Sequence, residues 1–172
     1  MRNYEERAKD FIQQVFSYLE GCEDVWDFRS AIQRFNEDYR RNVSVKNGIA
    51  RVALITSDYV VKFNYDSDCV EDVGGCEEEI RLYADAEREG FAYLLAKITR
   101  YDYEGVSFYI MPRVRGFRNR WMNAEYFMTH AERVWCETHH LYDLHCGNYG
   151  FRNGHVCLVD YACCTYRVNA SS

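Results

Sequence analysis

Asp143-Leu144-His145-Cys146-Gly147-Asn148-Tyr149-Gly150-Phe151-Arg152-Asn153-Gly154-His155-Val156-Cys157-Leu158-Val159-Asp160 is the stretch on which the reading of this chain turns. Arg152-Asn153-Gly154, set between Tyr149-Gly150-Phe151 and His155 to Val159, is a strong hairpin signal, because Asn-Gly accepts the positive φ of a two-residue turn. A hairpin folded there lays its ends side by side. Asn148 then converges with Asp160, twelve residues further on, and Asp143 stands nearby on the loop. A hairpin needs none of these three polar side chains. Two acids and an amide gathered in this way suit Mg²⁺, which takes one or two carboxylates and completes its shell with substrate phosphates. Backbone-capping roles at turns and strand ends are the structural alternative for the same residues.

Upstream, Ala124, Phe127, Met128, Ala131, Val134, Trp135, Thr138 and Leu141 keep helical spacing and predict one long helix leading into this loop. Before it, Arg100 to Tyr103 and Val106 to Met111 read as strands joined at Glu104-Gly105, and Pro112 ends their sheet. Cys76 to Glu89 reads as an amphipathic helix with Cys76, Ile80, Tyr83 and Ala84 on one side and Gly90 as its C-cap, preceded by a polar loop over 66–75. From Val43 to Tyr65, β-branched and aromatic residues with turn signals at Lys46-Asn47-Gly48 and Thr56-Ser57-Asp58 predict three antiparallel strands, near 43–46, 49–55 and 59–64. Tyr4, Ala8, Phe11, Ile12, Val15, Phe16 and Leu19 mark a first helix stopped by Gly21, and Trp26, Phe28, Ile32 and Phe35 a second. No internal repeat is present. This order of elements is that of an α+β fold.

Composition narrows the function classes. The 172 residues are 48% hydrophobic and 16% aromatic with a single proline, which excludes disordered and fibrous chains. Lys plus Arg is 21 against 27 Asp plus Glu, and the net charge of -6 argues against non-specific binding to nucleic acid or to an anionic membrane. No stretch approaches the ~18 apolar residues of a membrane span. The first residues carry charge where a signal peptide has its apolar core, so a cytoplasmic location is the expectation. Eight cysteines without a CxxC pair are expected as reduced thiols. Cys136, His139, His140, His145 and Cys146 are ligand types that zinc prefers, but the second half of a zinc knuckle is missing, and packing is the plainer account of the thiols.

The D-x-x-x-x-N spacing of Asp143 and Asn148, within D-L-H-C-G-N and followed by Asp160-Tyr161-Ala162, resembles the catalytic loop and metal segment of the protein kinase-like superfamily. The branch it looks most like is that of aminoglycoside and choline phosphotransferases, whose loop often reads D-L-H-x-G-N. By that resemblance Asp143 accepts or orients the proton of the acceptor hydroxyl, Asn148 holds one metal ion, and Asp160 stands where the D-F-G aspartate would. Val60-Val61-Lys62-Phe63 resembles the family's lysine strand, which implies that Lys62 reaches the α and β phosphates and Val60 contacts adenine. Glu79 is chosen as the glutamate that pairs with Lys62, with Glu78 the alternative. Phe108 to Met111 and Pro112-Arg113-Val114 resemble the last strand and the hinge, with Met111 bordering adenine and backbone amides holding it. Gly48 stands in the loop that would cover the phosphates. His145 reads as a scaffold residue that fixes the catalytic loop.

The resemblance spans residues 43 to 162, outside the N-terminal helices over 1–41, and implies a kinase-like N-lobe over 42–112, with about five antiparallel strands and one helix of the αC kind. A much reduced helical C-lobe, carrying the catalytic hairpin, follows over 113–172. The loop at 44–50 departs from the family in having one glycine where protein kinases have G-x-G-x-x-G. Only twelve residues follow Asp160, where the activation segment, the A-P-E motif and the substrate-docking helices would stand. What replaces them is expected from the N-terminal helices through Phe11, Phe16, Trp26 and Phe35, from a homodimer, or from a partner protein meeting Trp121 and Trp135. Compact kinase-like chains of this kind look like phage-encoded or bacterial accessory proteins.

The function implied is an ATP- and Mg²⁺-dependent phosphotransferase acting on a hydroxyl of a small molecule or a protein side chain. Adenylyl transfer from a flipped nucleotide would reuse the same residues. The alternative is a catalytically inactive, pseudokinase-like binding module that inhibits or scaffolds a partner protein, its acidity suited to a basic face.

Overall fold

Asn3 starts the first helix by accepting the Glu5 N–H on its side chain, and α1 (Tyr4–Leu19) buries Ala8, Phe11, Ile12, Val15 and Leu19 along one stripe. Asp24 caps α2 (Val25–Tyr39) in the same way, accepting from Trp26 and Asp27, and Ala31, Ile32 and Phe35 form its buried stripe. Trp26 departs from expectation. It is 73% exposed, because a position two residues before Phe28 falls about 200° around the helix from the core-facing side.

The computed structural model describes residues 3–48, 51–64, 75–116 and 122–161 of an α+β chain that divides into two units, 1–70 with 98–113 and 71–97 with 114–172. Residues 66–74 of the expected loop, Ile49, Ala50, Trp121 and Ala162 lie outside the described residues.

In the first unit, β1 (Ser44–Asn47), β2 (Arg51–Ile55), β3 (Tyr59–Asn64), β4 (Thr99–Tyr103) and β5 (Val106–Pro112) form an antiparallel sheet in the order β1-β2-β3-β5-β4. Glu104 and Gly105 turn the β4–β5 hairpin with φ of 47° and 79°, and Pro112 is the last strand residue. Strand alternation sends Val52, Leu54, Val61, Phe63, Phe108 and Ile110 to the face covered by α1 and α2, where they share one core with Phe11, Ile12 and Phe35. The opposite face receives Lys62, aligned with Ala53 and Tyr109, and Val60, aligned with Ile55 and Met111.

In the second unit, α3 (Cys76–Glu89) ends at Gly90, whose φ of 83° is the left-handed cap expected there. Its buried stripe is Cys76, Glu79, Leu82 and Ala86. This corrects the expected face of Cys76, Ile80, Tyr83 and Ala84: Ile80 and Tyr83 are half-buried and Ala84 is exposed. A carboxylate takes the inward position because it has a buried donor to meet, as the site geometry makes plain.

The long helix expected over 124–141 is also corrected. A 3₁₀ turn at Ala124–Phe127 stops at extended Met128, and α4 (His130–Thr138) starts afresh. Thr129 accepts the Glu132 N–H while the Glu132 carboxylate takes the Thr129 N–H, a capping box that ends one helix direction and begins another. Three short strands, β6 (Arg115–Gly116), β7 (Tyr149–Arg152) and β8 (His155–Leu158), pair in that order, and Asn153 and Gly154 make the predicted turn with φ of 54° and 83°. β6 was not foreseen in the sequence reading. Ala96 N–H donates to the Leu158 carbonyl at 2.8 Å, fixing the segment after α3 to the hairpin.

Glu89, at the end of α3, accepts the Trp135 indole N–H at 2.8 Å and lies 2.9 Å from His139 Nε2 on α4. The His139 contact first, and the Trp135 contact next, hold its carboxyl below the usual glutamate value. A depressed carboxyl contributes stability above its unfolded pKa and loses it as pH falls through the folded value. The stability difference between wild type and Glu89→Gln is therefore expected to shrink as pH drops below about 4.5. Midpoints measured from neutral pH down to acid would check this, and a difference that stayed constant would refute it.

Cys22, Cys76, Cys136, Cys146 and Cys157 carry free thiols. Among the described residues no helix is long and apolar enough to cross a membrane.

Candidate active site

The β7–β8 hairpin brings its ends together as its turn requires. Tyr149 aligns with Leu158, and the Val159 N–H donates to the Asn148 carbonyl at 2.8 Å, so the strand pairing continues to the residue before Asp160. Asn148 is 8% exposed, and its side-chain amide donates to the Asp143 carbonyl at 3.0 Å and to Asp143 Oδ2 at 2.9 Å. Both amide hydrogens are directed at one residue. The amide oxygen is thereby left as the group able to face a cation.

The other carboxylate oxygen of Asp143 faces His145. His145 Nδ1 accepts the Gly147 N–H at 2.9 Å, which places the hydrogen of the neutral ring on Nε2, and Nε2 lies 3.5 Å from Asp143 Oδ1. The Asn148 N–H donates to the His145 carbonyl at 2.9 Å, closing the loop on itself. A Cβ at Gly147 would stand 2.7 Å from the imidazole Cε1, so a residue without a side chain lets the ring sit there. Asp143 thus has its Oδ2 held by the Asn148 amide, with the imidazole edge beside its Oδ1. The His145 contact to the carboxylate went beyond the loop-fixing role read from sequence.

Asp160 is half-buried, and the residue after it is anchored at both ends. The Tyr161 N–H donates to Glu79 Oε1 at 3.2 Å, and its hydroxyl donates to the Ala96 carbonyl at 2.9 Å. Burial, with the Glu79 charge second, pushes the Tyr161 phenol well above its ordinary value. Glu79, at 0% exposure on α3, is the buried acceptor for the backbone just past Asp160. Glu79→Ala would orphan that N–H and is expected to destabilise by about 1–3 kcal/mol, whereas Glu79→Gln retains an acceptor oxygen and should lose less. Urea unfolding of both variants decides the matter, and equal losses would remove the hydrogen bond as the reason for burial.

Lys62, Val60, Met111 and Gly48 belong to the first unit; Glu79, Asp143, Asn148 and Asp160 belong to the second. Lys62 is 6% exposed on β3, on the same sheet face as Val60 and Met111. Two backbone donors expected for a nucleotide are otherwise engaged. The Gly48 N–H donates to the Arg51 carbonyl at 2.8 Å, closing the β1–β2 hairpin, and the Arg113 N–H donates to the Asp58 carbonyl at 2.8 Å. Pro112 has no N–H to offer.

Among the described residues no group of three or more His, Cys, Asp or Glu gathers to hold a metal ion. His139 faces Glu89 and His140 Nδ1 lies 3.0 Å from the Tyr142 hydroxyl, so these residues have other uses than a zinc knuckle. Asn148 and Asp160 offer an amide oxygen and a carboxylate, a sparse set of hard oxygen donors. Such a set fits Mg²⁺ carried with phosphates better than it fits an all-protein cage.

No known protein-family model matches the chain, and no curated protein matches its sequence.

Proposed function

We propose that the chain is an ATP- and Mg²⁺-dependent phosphotransferase of kinase-like type that acts on a hydroxyl of a small molecule or a protein side chain. The observation that carries this reading is the Asn148 side chain bound to both the carboxylate and the carbonyl of Asp143 at the end of the hairpin that leads to Asp160. Two bonds fix the rotamer of a carboxylate and the orientation of an amide oxygen together, which is what in-line transfer asks of its base and its metal ligand.

In this reading Asp143 orients the acceptor hydroxyl and takes its proton, with the Asn148 amide holding its Oδ2 and leaving Oδ1 for the hydroxyl. Asn148 Oδ1 and the Asp160 carboxylate would hold Mg²⁺, which when bound neutralises phosphate charge. Glu79 keeps the backbone beyond Asp160 in place through the Tyr161 N–H.

Thermal unfolding with and without ATP and MgCl₂, on wild type and on Asp160→Ala, tests the reading. A ligand at 100-fold its dissociation constant stabilises the folded state by about 2.7 kcal/mol. The wild-type midpoint is therefore expected to rise by about 5–10 °C when both ATP and MgCl₂ are present, and the variant's rise to be lost. No rise in wild type would refute the nucleotide site and favour a binding module without catalysis.

A further inference from the structure

The β1–β2 hairpin stands at one edge of the first sheet, and its composition departs from that of the chain. Between Asp38 and Asp58 there is no Asp or Glu, while Arg40, Arg41, Lys46 and Arg51 fall in the same stretch of a chain whose net charge is -6. Lys46 is exposed on β1, as are Arg40 and Arg41 just before it.

The backbone of β1 is open on one side. The Gly48 N–H donates to the Arg51 carbonyl at 2.8 Å, which marks Gly48 and Arg51 as a hydrogen-bonded pair. Counted back by register, Lys46 with Ala53 and Ser44 with Ile55 are then the pairs that turn their N–H and C=O groups to β2. Val45 and Asn47 therefore turn theirs outward. β1 is the first strand in the sheet order, and among the described residues no strand pairs with it on that side.

Side chains alternate across the same edge. Ser44 and Lys46 project on the face away from α1 and α2. Val45 and Asn47 border a groove of about 450 Å³ between α2 and the hairpin, with Phe28, Ile32 and Val52 as its apolar floor. A strand added here would meet an ammonium on one face and an apolar groove on the other.

We infer that the β1 edge takes up an extended acidic peptide as a sixth strand, its main chain bonded to Val45 and Asn47, a carboxylate opposite Lys46 and an apolar side chain over the groove. A second copy of this chain is disfavoured as the occupant. Every antiparallel register that joins Val45 and Asn47 to the same residues of the copy leaves one Lys46 opposite or diagonal to the other, the guard against self-pairing that edge lysines provide. A nucleic acid would bring phosphates for the cations but no ladder of amides and carbonyls for the edge. The site is independent of the phosphotransferase reading, and its test contains no nucleoside triphosphate.

The probe is the capped pentapeptide Glu-Val-Glu-Val-Glu, with Lys-Val-Lys-Val-Lys as its control, each titrated to about 5 mM against the ¹⁵N-labelled full chain. The acidic peptide is expected to shift the amides of Val45, Lys46 and Asn47 saturably, with a dissociation constant of about 0.1–1 mM, and to slow hydrogen exchange at Val45 and Asn47 about fivefold or more. The basic peptide should bind at least about tenfold more weakly. Lys46→Glu, at an exposed strand position, should weaken the acidic peptide about tenfold. Asn47→Pro removes one outward N–H at an edge, where proline is tolerated, and should weaken it as much. The thermal midpoint of each variant reports whether its fold is kept. No saturable shift at these amides, equal binding of the two peptides, or acidic-peptide binding unchanged in Lys46→Glu would overturn the inference. Shifts caused by decathymidylate alone would assign the hairpin to nucleic acid and overturn it equally.

Discussion

Gly150→Ala is expected to lower stability by about 3 kcal/mol, a fall in midpoint of about 6–12 °C. Gly150 pairs with Gly116 across β6 and β7, and a Cβ built on it would meet Val114 Cγ1 at 2.7 Å and the Arg115 carbonyl carbon at 2.8 Å, with the Arg115 carbonyl oxygen nearer still. Backbone on the far side leaves no flexible side chain to yield, so the strand pairing itself must open. Gly154→Ala is the comparison. Its Cβ would meet nothing within 4 Å, so the substitution carries only the strain of its φ of 83°, about 1 kcal/mol. Thermal or urea unfolding of the two variants measures the difference. A Gly150→Ala protein as stable as Gly154→Ala would mean that β6 is not held to β7 in solution.

Under the phosphotransferase function proposed above, Asp143→Ala is expected to reduce phosphoryl transfer from ATP by about 10²–10⁴-fold, the range typical for removal of a positioned acid or base. The rise in midpoint caused by ATP and MgCl₂ should persist, because Asp143 is assigned to the acceptor proton and not to the nucleotide. Asn148→Ala should lose both properties, since the same proposal has its amide N–H orient Asp143 and its amide oxygen meet the metal. Turnover can be followed as slow release of phosphate to water before any acceptor is identified. An Asp143→Ala protein with wild-type turnover would remove Asp143 from the chemistry.

Local turn chemistry was the most legible part of the sequence. Asn153-Gly154 and Glu104-Gly105 both turn hairpins with positive φ, Gly90 caps α3, and the strand at 59–64 keeps its bounds, because each depends on a few neighbouring residues. The approach of Asn148 to Asp143 was legible for the same reason, since they stand five positions apart in one loop. The face of α3 was not. Hydrophobic periodicity cannot announce that Glu79 turns inward, because its partner is the N–H of Tyr161, 82 residues away. The break at Thr129 had a local sign in Thr129-His130-Ala131-Glu132, the spacing of a capping box, but the apolar repeat runs through it and masks it. β6 is two residues long and follows Pro112, too short for any period to register.

The burial of the first sheet bears on how the chain can be subdivided. Val52, Leu54, Val61, Phe63, Phe108 and Ile110 share a single core with α1 and α2, so residues 4–39 are no detachable leader to the strands that follow. A shortened chain beginning after α2 would present one whole apolar sheet face, with the open edge of β1 beside it, and its fate is self-association before folding. The first unit is also stitched from two separated pieces of chain, since β5 lies against β3 while α3 intervenes in sequence. During synthesis the sheet must therefore wait for residue 112 before it closes, and the two N-terminal helices are what can shelter its early strands in the meantime.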